Sequence, residues 1–361
     1  MNIDLANIKN YPSTRYQGSK RKIIPWIYEN IKDLNFETVL DIYGGTGSVS
    51  YMFKKMGKTV TYNDSLRFNY LIGKAVIENK EIRLNESDVE FLLNHKSEEA
   101  YNKVQKFFHD IYYYPKENKW IDKTISAIES LNSYPAKVLE FKSALAYYSL
   151  FQACLIKRPF NLFHRKNLNL RKNKVKRTFG NYTSWNKSFI DYYLKFIDEA
   201  NDLVFDNGKE CFSTNYLVED IDKIEFDLVY LDPPYYRKDS SNETSDYQKV
   251  YHFLEGLAHY NNWEELIDFN SINRRFKRQI KSAEPTNMEL IKTFEEIFYR
   301  FKSSHLVFSY KKGGTPSIET LVKLLKRYKK NVFTRSFHYK YALNHQNGNA
   351  RKNREVLIIA V

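Results

Sequence analysis

The sequence predicts an α/β fold in which a Rossmann-like sheet is interrupted by a mostly helical insertion. The first segments alternate as strand, glycine turn, helix and strand, which is how a nucleotide-binding α/β unit begins. Periodic helical stretches then dominate from about Glu81 to Asn201, and strand-like runs return near Phe226. We therefore predict one α/β domain from residues 1–80 and 207–361, and an inserted domain at residues 81–206.

The amino-terminal unit is predicted from apolar periodicity and glycine punctuation. Isoleucine spacing predicts a first helix that Pro25 starts or kinks, and Gly57 is placed to end the second helix. The predicted elements are a helix at Lys20–Lys32, a strand at Thr38–Tyr43, a helix at Ser48–Met56, a strand at Thr59–Tyr62 and a helix at Leu66–Asn79.

The rest of the chain gives longer helices and the closing strands. Pro316 is placed to start a helix, and Asn347-Gly348 indicates a long hairpin between the last two strands. The predicted helices are Ser97–Tyr114, Ala136–Ile156, Phe253–Ile267 and Met288–Phe301, and the predicted strands are Phe226–Leu231, Ser304–Tyr310, Val332–Tyr339 and Glu355–Val361.

Composition limits the classes of function. The 361 residues carry a formal net charge of +14, which favours a polyanionic partner over a merely basic surface. Two cysteines, and histidines without metal-ligand spacing, predict neither a disulfide framework nor a metal site. The first residues lack a signal-peptide pattern, and no apolar run has the length of a membrane span. We expect a cytoplasmic protein without metal.

The segment Asp232-Pro233-Pro234-Tyr235 is the most informative motif. It follows a strand-like run, so a carboxylate, two rigid prolines and a ring stand at the carboxyl end of a strand, where open α/β sheets bind ligands. The ring can stack on a flat base while the carboxylate accepts hydrogen bonds from its amine. The simpler alternative is that two prolines merely end a strand.

Three further groups fit a cofactor site, and each has a simpler alternative. The glycines of Asp41-Ile42-Tyr43-Gly44-Gly45-Thr46-Gly47 allow close approach of a ligand, or form a plain turn. Asp64 follows the next strand, where a carboxylate takes both ribose hydroxyls or caps a helix. Tyr16-Gln17-Gly18-Ser19-Lys20 could cover a cofactor and reach its carboxylate, or could simply open a helix.

In this order, the motifs resemble the class alpha (Dam-like) adenine-N6 DNA methyltransferases, which use S-adenosylmethionine. The similarity covers the start of the chain to about residue 80 and about residue 205 to the end, and the insertion corresponds to the family's target recognition domain. Tyr43 stands where phenylalanine is commoner, which keeps a ring. The cofactor contacts that the motifs and the resemblance suggest are Tyr16, Gly18, Lys20, Asp41, Tyr43, Gly45, Gly47, Asp64 and Asp232.

The expected chemistry follows from the poor nucleophilicity of adenine's exocyclic amine. Asp232 and the Pro233 carbonyl are predicted to accept its two N–H bonds, while Pro234 stiffens the loop and Tyr235 stacks on the extruded base. An RNA adenine methyltransferase and a noncatalytic nucleic-acid-binding paralogue are the alternatives. Cytosine-N4 methylation is disfavoured because those enzymes usually carry serine where Asp232 stands.

A basic segment from Lys157 to Lys187 is the predicted contact with double-stranded DNA. It contains ten lysines and arginines, no acidic residue, and interleaved aromatic and asparagine side chains. A solvated charge run is the alternative. The residues predicted to bind DNA are Arg158, Arg165, Lys166, Arg171, Lys172, Lys174, Lys176 and Arg177. A companion restriction endonuclease and a monomeric state are further expectations from the resemblance.

Overall fold

The structure is a computed structural model that describes residue 8 and residues 11–96, 100–173, 181–221, 224–236, 246–277, 285–339 and 353–361. Its centre is a seven-stranded sheet in the order β3-β2-β1-β4-β5-β7-β6. The first five strands are parallel, and β7 pairs antiparallel with both β5 and β6. The strands are β1 (Thr38–Asp41), β2 (Thr59–Asn63), β3 (Phe212–Thr214), β4 (Leu228–Leu231), β5 (His305–Lys311), β6 (Val332–Tyr339) and β7 (Asn353–Ala360).

Helices cover both faces of this sheet. The described α-helices before β3 are α1 (Ile24–Ile31), α2 (Ser48–Lys55), α3 (Arg67–Gly73), α4 (Glu86–Asn94), α5 (Lys103–Phe107), α6 (Pro115–Glu129), α7 (Ala136–Ile156), α8 (Asn169–Lys172), α9 (Asn181–Asn186) and α10 (Phe189–Leu203). Those after β4 are α11 (Tyr247–Ala258), α12 (Trp263–Leu266), α13 (Asn287–Arg300) and α14 (Ile318–Leu325). In the described part of the chain, no helix is long and apolar enough to cross a membrane.

Alternation along the strands divides the core into two clusters. Val39 and Leu228 pack on one face of the sheet, whereas Leu40 and Val229 pack on the other. The second face is covered by α13 and α14, and the first by α11 and by the helices that precede β3 other than α8 and α9. The sheet is therefore sandwiched, with a much thicker helical layer on one side.

The inserted helices share the hydrophobic core of the sheet. Tyr148 and Phe151 on α7 belong to the same buried cluster as Val39 and Tyr62 on the strands. The segment after β4 also joins the insertion, because Trp263 stacks on Phe108 with ring centroids 4.7 Å apart. The boundaries predicted near residues 80 and 207 stay a prediction, since apolar contacts run across them.

The structure confirms most predicted elements and corrects others. The strands near residues 38, 59, 228 and 305 and the closing antiparallel pair are present, and α7 has the predicted bounds. The predicted helix Ser97–Tyr114 is wrong in its described part: only Lys103–Phe107 is helical, and Asp110 has a φ of 56°. Pro115 occupies the first turn of the helix that follows, which separates the two segments.

Two further corrections concern ends and short elements. Pro316 does not start α14, because the Ser317 hydroxyl accepts a hydrogen bond from the Thr320 N–H and caps a helix that begins at Ile318. Strand β3 was not predicted, since three residues are too short to give a periodic signal. The Asn347-Gly348 turn lies outside the described residues.

The contact between Gly256 on α11 and the Trp263 indole predicts a stability effect. A Cβ at residue 256 would lie 1.9–2.3 Å from three indole atoms. We expect Gly256→Ala to lower the free energy of unfolding by about 1–3 kcal/mol, as overpacking of a filled core does. Urea denaturation measures this change. In a Trp263→Leu background the same substitution should cost less, and an equal cost in both backgrounds would contradict the steric explanation.

Candidate active site

One cavity joins the motifs that the sequence places far apart. It has a volume of about 590 Å³ and lies at the carboxyl ends of β1, β2 and β4, which is where Asp41, Asp64 and Asp232 stand. Three of the predicted site residues, Gly47, Pro233 and Tyr235, are not on its wall. The predicted site residues that line it are Tyr16, Gly18, Lys20, Asp41, Tyr43, Gly45, Asp64, Asp232 and Pro234.

A buried charge cluster organises the Asp232 end of this cavity. Lys20 Nζ lies 2.7 Å from Asp232 Oδ1 and 3.3 Å from Glu355 Oε1. The Tyr235 hydroxyl accepts a hydrogen bond from Lys20 Nζ and lies 2.6 Å from Asp232 Oδ1 and 2.8 Å from Glu355 Oε1. With a single proton, that hydroxyl donates to only one of the two carboxylates at a time. One lysine and one tyrosine thus hold two acids.

Asp232 has one oxygen fixed by this cluster and one that is left over. Oδ1 receives Lys20 and Tyr235, whereas Oδ2 has no hydrogen bond to a residue in the described part of the chain. Burial raises the pKa of Asp232 and so does the nearby Glu355, while the Lys20 ammonium opposes both. A fixed carboxylate with one open oxygen is suited to accept an N–H from a ligand.

Glu355 is the member of the charge cluster that sequence reasoning missed. Its side chain is 1% exposed and also accepts a hydrogen bond from the Ser309 hydroxyl at 2.9 Å. Because β7 is antiparallel, the start of β7 lies beside Lys311 at the end of β5, on the cavity edge of the sheet. The sequence did contain a signal, because Glu355 is a lone acid that directly precedes the apolar run Val356–Ala360. Burial of such an acid costs free energy unless the carboxylate is paired.

The glycine turn and Asp64 form the opposite end of the cavity. Asp64 Oδ2 accepts from the Gly45 N–H at 2.9 Å and Oδ1 from the Leu66 N–H at 2.8 Å. Gly45 has a φ of 51°, a conformation that glycine adopts without strain. Burial raises the pKa of Asp64 to about 6, against these hydrogen bonds. Asp64 therefore holds the turn, and its oxygens keep further acceptor capacity.

Asp41 is a buried carboxylate with an incomplete set of partners. Oδ2 accepts from the Ser50 hydroxyl at 2.6 Å, but Oδ1 has no hydrogen bond of good geometry to any described residue. Burial raises its pKa to about 7, the Ser50 hydrogen bond opposes the shift, and Asp232 and Asp64 add to it. An unpaired acid beside a cavity favours a ligand with a positive charge or an N–H or O–H donor.

Aromatic rings wall the cavity between its two ends. Tyr16 stacks on Tyr251 with centroids 4.4 Å apart, and Tyr247 lies 6.1 Å from Tyr16. The Tyr247 hydroxyl is 2.3 Å from the place where a Cβ at Gly18 would stand, and Gly18 has a φ of 78°, so a larger residue there would displace Tyr247 and strain the backbone. Tyr247 and Tyr236 line the cavity and were not among the predicted residues.

Tyr235 is oriented differently from the prediction of a stacking platform. Its ring packs edge-on against Tyr310 at 5.5 Å, and its hydroxyl belongs to the charge cluster. Lys20 Nζ lies 5.0 Å from the ring centroid. Its observed contacts therefore position Asp232 and Lys20, and its stacking on a base stays a prediction.

The basic segment is divided between the interior and the surface. Arg158 is 2% exposed, and its guanidinium lies 4.4 Å from the centre of the Tyr112 ring. Arg171 makes a two-pronged ion pair with Glu117, with both N–O distances at 2.7 Å. Buried in this way, the two arginines cannot reach DNA phosphates in this conformation, and we remove them from the predicted DNA contacts.

The remaining basic residues are compatible with the prediction or lie beyond it. The side chains of Arg165, Lys166 and Lys172 are exposed, although Lys172 Nζ lies 2.8 Å from Asp110 Oδ1. A surface ion pair of this kind contributes little to stability and can be exchanged for a phosphate contact. Three predicted DNA contacts, Lys174, Lys176 and Arg177, lie outside the described residues.

Known proteins with similar sequences point to the same chemistry. The chain is 26% identical to the type II methyltransferase M2.HphI of Haemophilus parahaemolyticus over 98% of both chains. It is 25% identical to the modification methylase StsI of Streptococcus sanguinis and 27% identical to the modification methylase LlaI of Lactococcus lactis subsp. lactis. Both alignments cover 95% of this chain but only 50% of StsI and 54% of LlaI.

The family comparison covers most of the chain. The sequence model of the D12 class N6 adenine-specific DNA methyltransferases matches residues 16–263, which include the glycine turn, Asp64, the insertion and the Asp232 motif. With the shared cavity that unites these motifs, the chain belongs to the D12 class of N6 adenine-specific DNA methyltransferases.

Proposed function

We propose that this enzyme transfers a methyl group from S-adenosylmethionine to the exocyclic amine of an adenine extruded from double-stranded DNA. The observation that supports this most is the single cavity that joins the glycine turn to Asp232, whose second oxygen is open. A cofactor at the first end and a base at the second would meet inside it. An RNA substrate or a noncatalytic role is not favoured, because the family is one of DNA methyltransferases.

The charge of the cavity supports a cationic cofactor. Its wall carries five carboxylates, Asp41, Asp64, Asp232, Asp246 and Glu255, but only Lys20 and Lys249 as cations among the described residues. The protein as a whole has the opposite balance, with a formal net charge of +14. When bound, S-adenosylmethionine supplies a methyl group activated on a positively charged sulfonium. An acidic wall within a basic protein fits that charge.

Specific residues fit specific parts of the cofactor. The unpaired Oδ1 of Asp41 suits a cationic group of the cofactor, and the glycine turn lets the ligand approach the backbone closely. The spare acceptor capacity of Asp64 suits ribose hydroxyls. Tyr16 and Tyr247 provide ring faces for stacking. Lys20 can bind the carboxylate of the cofactor only if its ammonium group also keeps, or gives up, its ion pairs with Asp232 and Glu355.

Asp232 would activate the amine by accepting one of its N–H bonds. A second N–H would be held by the Pro233 carbonyl, as the sequence predicts, although Pro233 does not line the cavity in this conformation. Held in this way, the nitrogen would shift toward tetrahedral geometry and its lone pair would localise. That lone pair forms the bond to the methyl carbon as the carbon–sulfur bond breaks, and the nitrogen then loses a proton. The Asp232 carboxylate, whose pKa is raised by burial, is placed to receive it.

The names of two similar proteins indicate the biological context of the reaction. StsI and LlaI are modification methylases, so we infer that this enzyme modifies DNA in a restriction–modification system with a companion endonuclease. We infer cytoplasmic location and action as a monomer, and we expect labelled methyl groups to be recovered as N6-methyldeoxyadenosine. Incubation with labelled S-adenosylmethionine and DNA or RNA, followed by digestion to nucleosides, tests the product.

Asp232→Asn should lower the rate of methyl transfer by at least about 100-fold, because the amide oxygen can still accept a hydrogen bond but lacks the negative charge that pairs with Lys20, stabilises the reacting amine and takes up its proton. Binding of S-adenosylmethionine and of DNA should change little. Single-turnover transfer, calorimetry and fluorescence anisotropy measure the three quantities. Asp220→Asn, which changes an exposed acid, is the matched control. Near-normal transfer by the Asp232 variant would refute its role.

Tyr235→Phe and Tyr235→Ala separate the two functions of this ring. The phenylalanine variant removes the hydroxyl from the charge cluster but keeps a stacking face, whereas alanine removes both. We expect Tyr235→Phe to lower the transfer rate on paired and mismatched adenine alike. Tyr235→Ala should add a loss of about 1–3 kcal/mol in capture of the base.

Comparing transfer to paired and to mismatched adenine separates the effect of the hydroxyl from that of the ring, because a mismatched base costs less free energy to extrude. If Tyr235→Phe is fully active, the hydroxyl does not position Asp232. If Tyr235→Ala loses no more than Tyr235→Phe, the ring does not stack on the adenine.

Cofactor binding should strengthen as pH rises from 6 to 8. Burial raises the pKa of Asp41 to about 7, so its ionised fraction increases about tenfold over this interval. A cationic ligand favours the ionised form, and its binding below pH 7 releases a proton. Calorimetry of S-adenosylmethionine binding to the wild type and to Asp41→Asn tests this, since titration of the ligand cancels between them. Equal pH dependence in both proteins would contradict the assignment.

A further inference from the structure

We propose that the hairpin Ile267–Lys277 is a second DNA-contacting element, which lies outside the predicted insertion and beside the active site. This inference rests on the proposed function. The hairpin is closed by the antiparallel bridge between Ile267 and Phe276 and by hydrogen bonds from the Lys277 N–H to the Leu266 carbonyl and from the Asp268 N–H to the Arg275 carbonyl.

The exposed side chains of this hairpin have the character of a nucleic-acid contact. Ile272 is 80% exposed and Phe269 is 46% exposed, which is unusual for large apolar side chains in a soluble protein. Arg274, Arg275 and Lys277 accompany them. An apolar tip flanked by cations fits a DNA groove, where cations neutralise phosphates and an apolar side chain packs against sugars and base edges.

The one acid in the hairpin offsets only part of this charge. Asp268 Oδ1 accepts the Asn270 N–H at 3.0 Å, and Oδ2 lies 3.8 Å from Arg275 Nε, so the carboxylate is used to shape the turn. Arg274 has a φ of 55° and donates to the Phe269 carbonyl. The turn of the hairpin therefore has a defined conformation, and its three cations and one acid give the hairpin a net charge of +2.

Buried contacts fasten the hairpin to the base of the basic segment. Asn273 Nδ2 donates to the Phe163 carbonyl at 3.2 Å, and the Tyr112 hydroxyl lies 3.0 Å from the Asn273 carbonyl and 2.6 Å from the Phe163 carbonyl. His252 Nε2 is 2.8 Å from the same hydroxyl, and burial lowers the pKa of His252 to about 3, so it is neutral. The exposed Arg165 and Lys166 lie two and three residues after Phe163 in the chain, so the two basic elements lie side by side.

The same contacts place the hairpin close to the cavity. Helix α11 begins at Tyr247 on the cavity wall, and His252 is five residues further along the chain, just after a kink at Tyr251. Asn273 lies beside His252, so the hairpin folds back along the first half of α11. The chain then reaches Pro285, which also lines the cavity. DNA that delivers an adenine to Asp232 would pass within reach of Ile272.

Ile272→Glu tests this placement with little risk to the fold, because the side chain is mostly exposed. We expect at least a tenfold loss of DNA affinity by fluorescence anisotropy, with unchanged S-adenosylmethionine binding. Ile224→Glu is the matched control: Ile224 is 59% exposed and precedes β4 at the opposite edge of the sheet. DNA affinity equal to that of the wild type in Ile272→Glu would overturn the proposal.

Salt dependence provides the second measurement. Replacing Arg274, Arg275 and Lys277 with alanine should reduce the slope of log affinity against log salt by up to about 2.7, or about 0.9 per phosphate contact. Replacement of Lys302, Lys323 and Lys326, which are exposed around α13 and α14, changes the charge equally and should leave the slope almost unchanged. An equal effect of both triple variants would mean general charge rather than contact. If the wild type itself methylates no DNA, the proposed function fails instead.

Discussion

The Lys20–Asp232–Glu355–Tyr235 cluster is the constraint on which the site depends. It joins the amino-terminal segment, the loop after β4 and the start of β7, three parts of the chain that share no local sequence. Two buried acids around one lysine are costly unless every partner is in place, so the cluster specifies how these segments meet. Its result is a carboxylate with one oxygen anchored and one open, held at the edge of a rigid sheet.

Charge is distributed so that two ligands of opposite sign are kept apart. The cavity wall is acidic, whereas the exposed Arg165, Lys166 and Lys172 of the basic segment and the cations of the 267–277 hairpin lie outside the cavity. An acidic pocket alone would repel DNA, and a basic one would repel a sulfonium cofactor. Burial of Asp41 and Asp64, and the partial burial of Asp232, limit the reach of the acids, while the exposed lysines and arginines act over a Debye length of about 8–10 Å. A polyanion can therefore approach the mouth of an acidic cavity.

The sequence was sufficient for the parts of the site that follow from a topological rule. Asp41, Asp64 and Asp232 each end a predicted parallel strand, and parallel strands end at one edge, so their proximity could be predicted. Glu355 could not, because its place depends on the antiparallel register of β7 against β5. Arg158 and Arg171 show the converse limit: a charge run looks the same whether its members are solvated or buried against Tyr112 and Glu117. The three-residue β3 was too short for any periodic signal.

The continuity of the core gives the helical layer a mechanical role. Helix α11 carries Tyr247 on the cavity wall, packs Phe253 among the inserted aromatic rings, and contacts the 267–277 hairpin through His252. Close-packed side chains transmit displacement with little slack. The hairpin that we propose as a DNA contact is thus connected to the cavity through α11, which is kinked at Tyr251, and through the buried neighbours of that helix. The proposed DNA contact and the proposed catalytic carboxylate of Asp232 are therefore joined through packed side chains, an arrangement that would favour transfer to an extruded base.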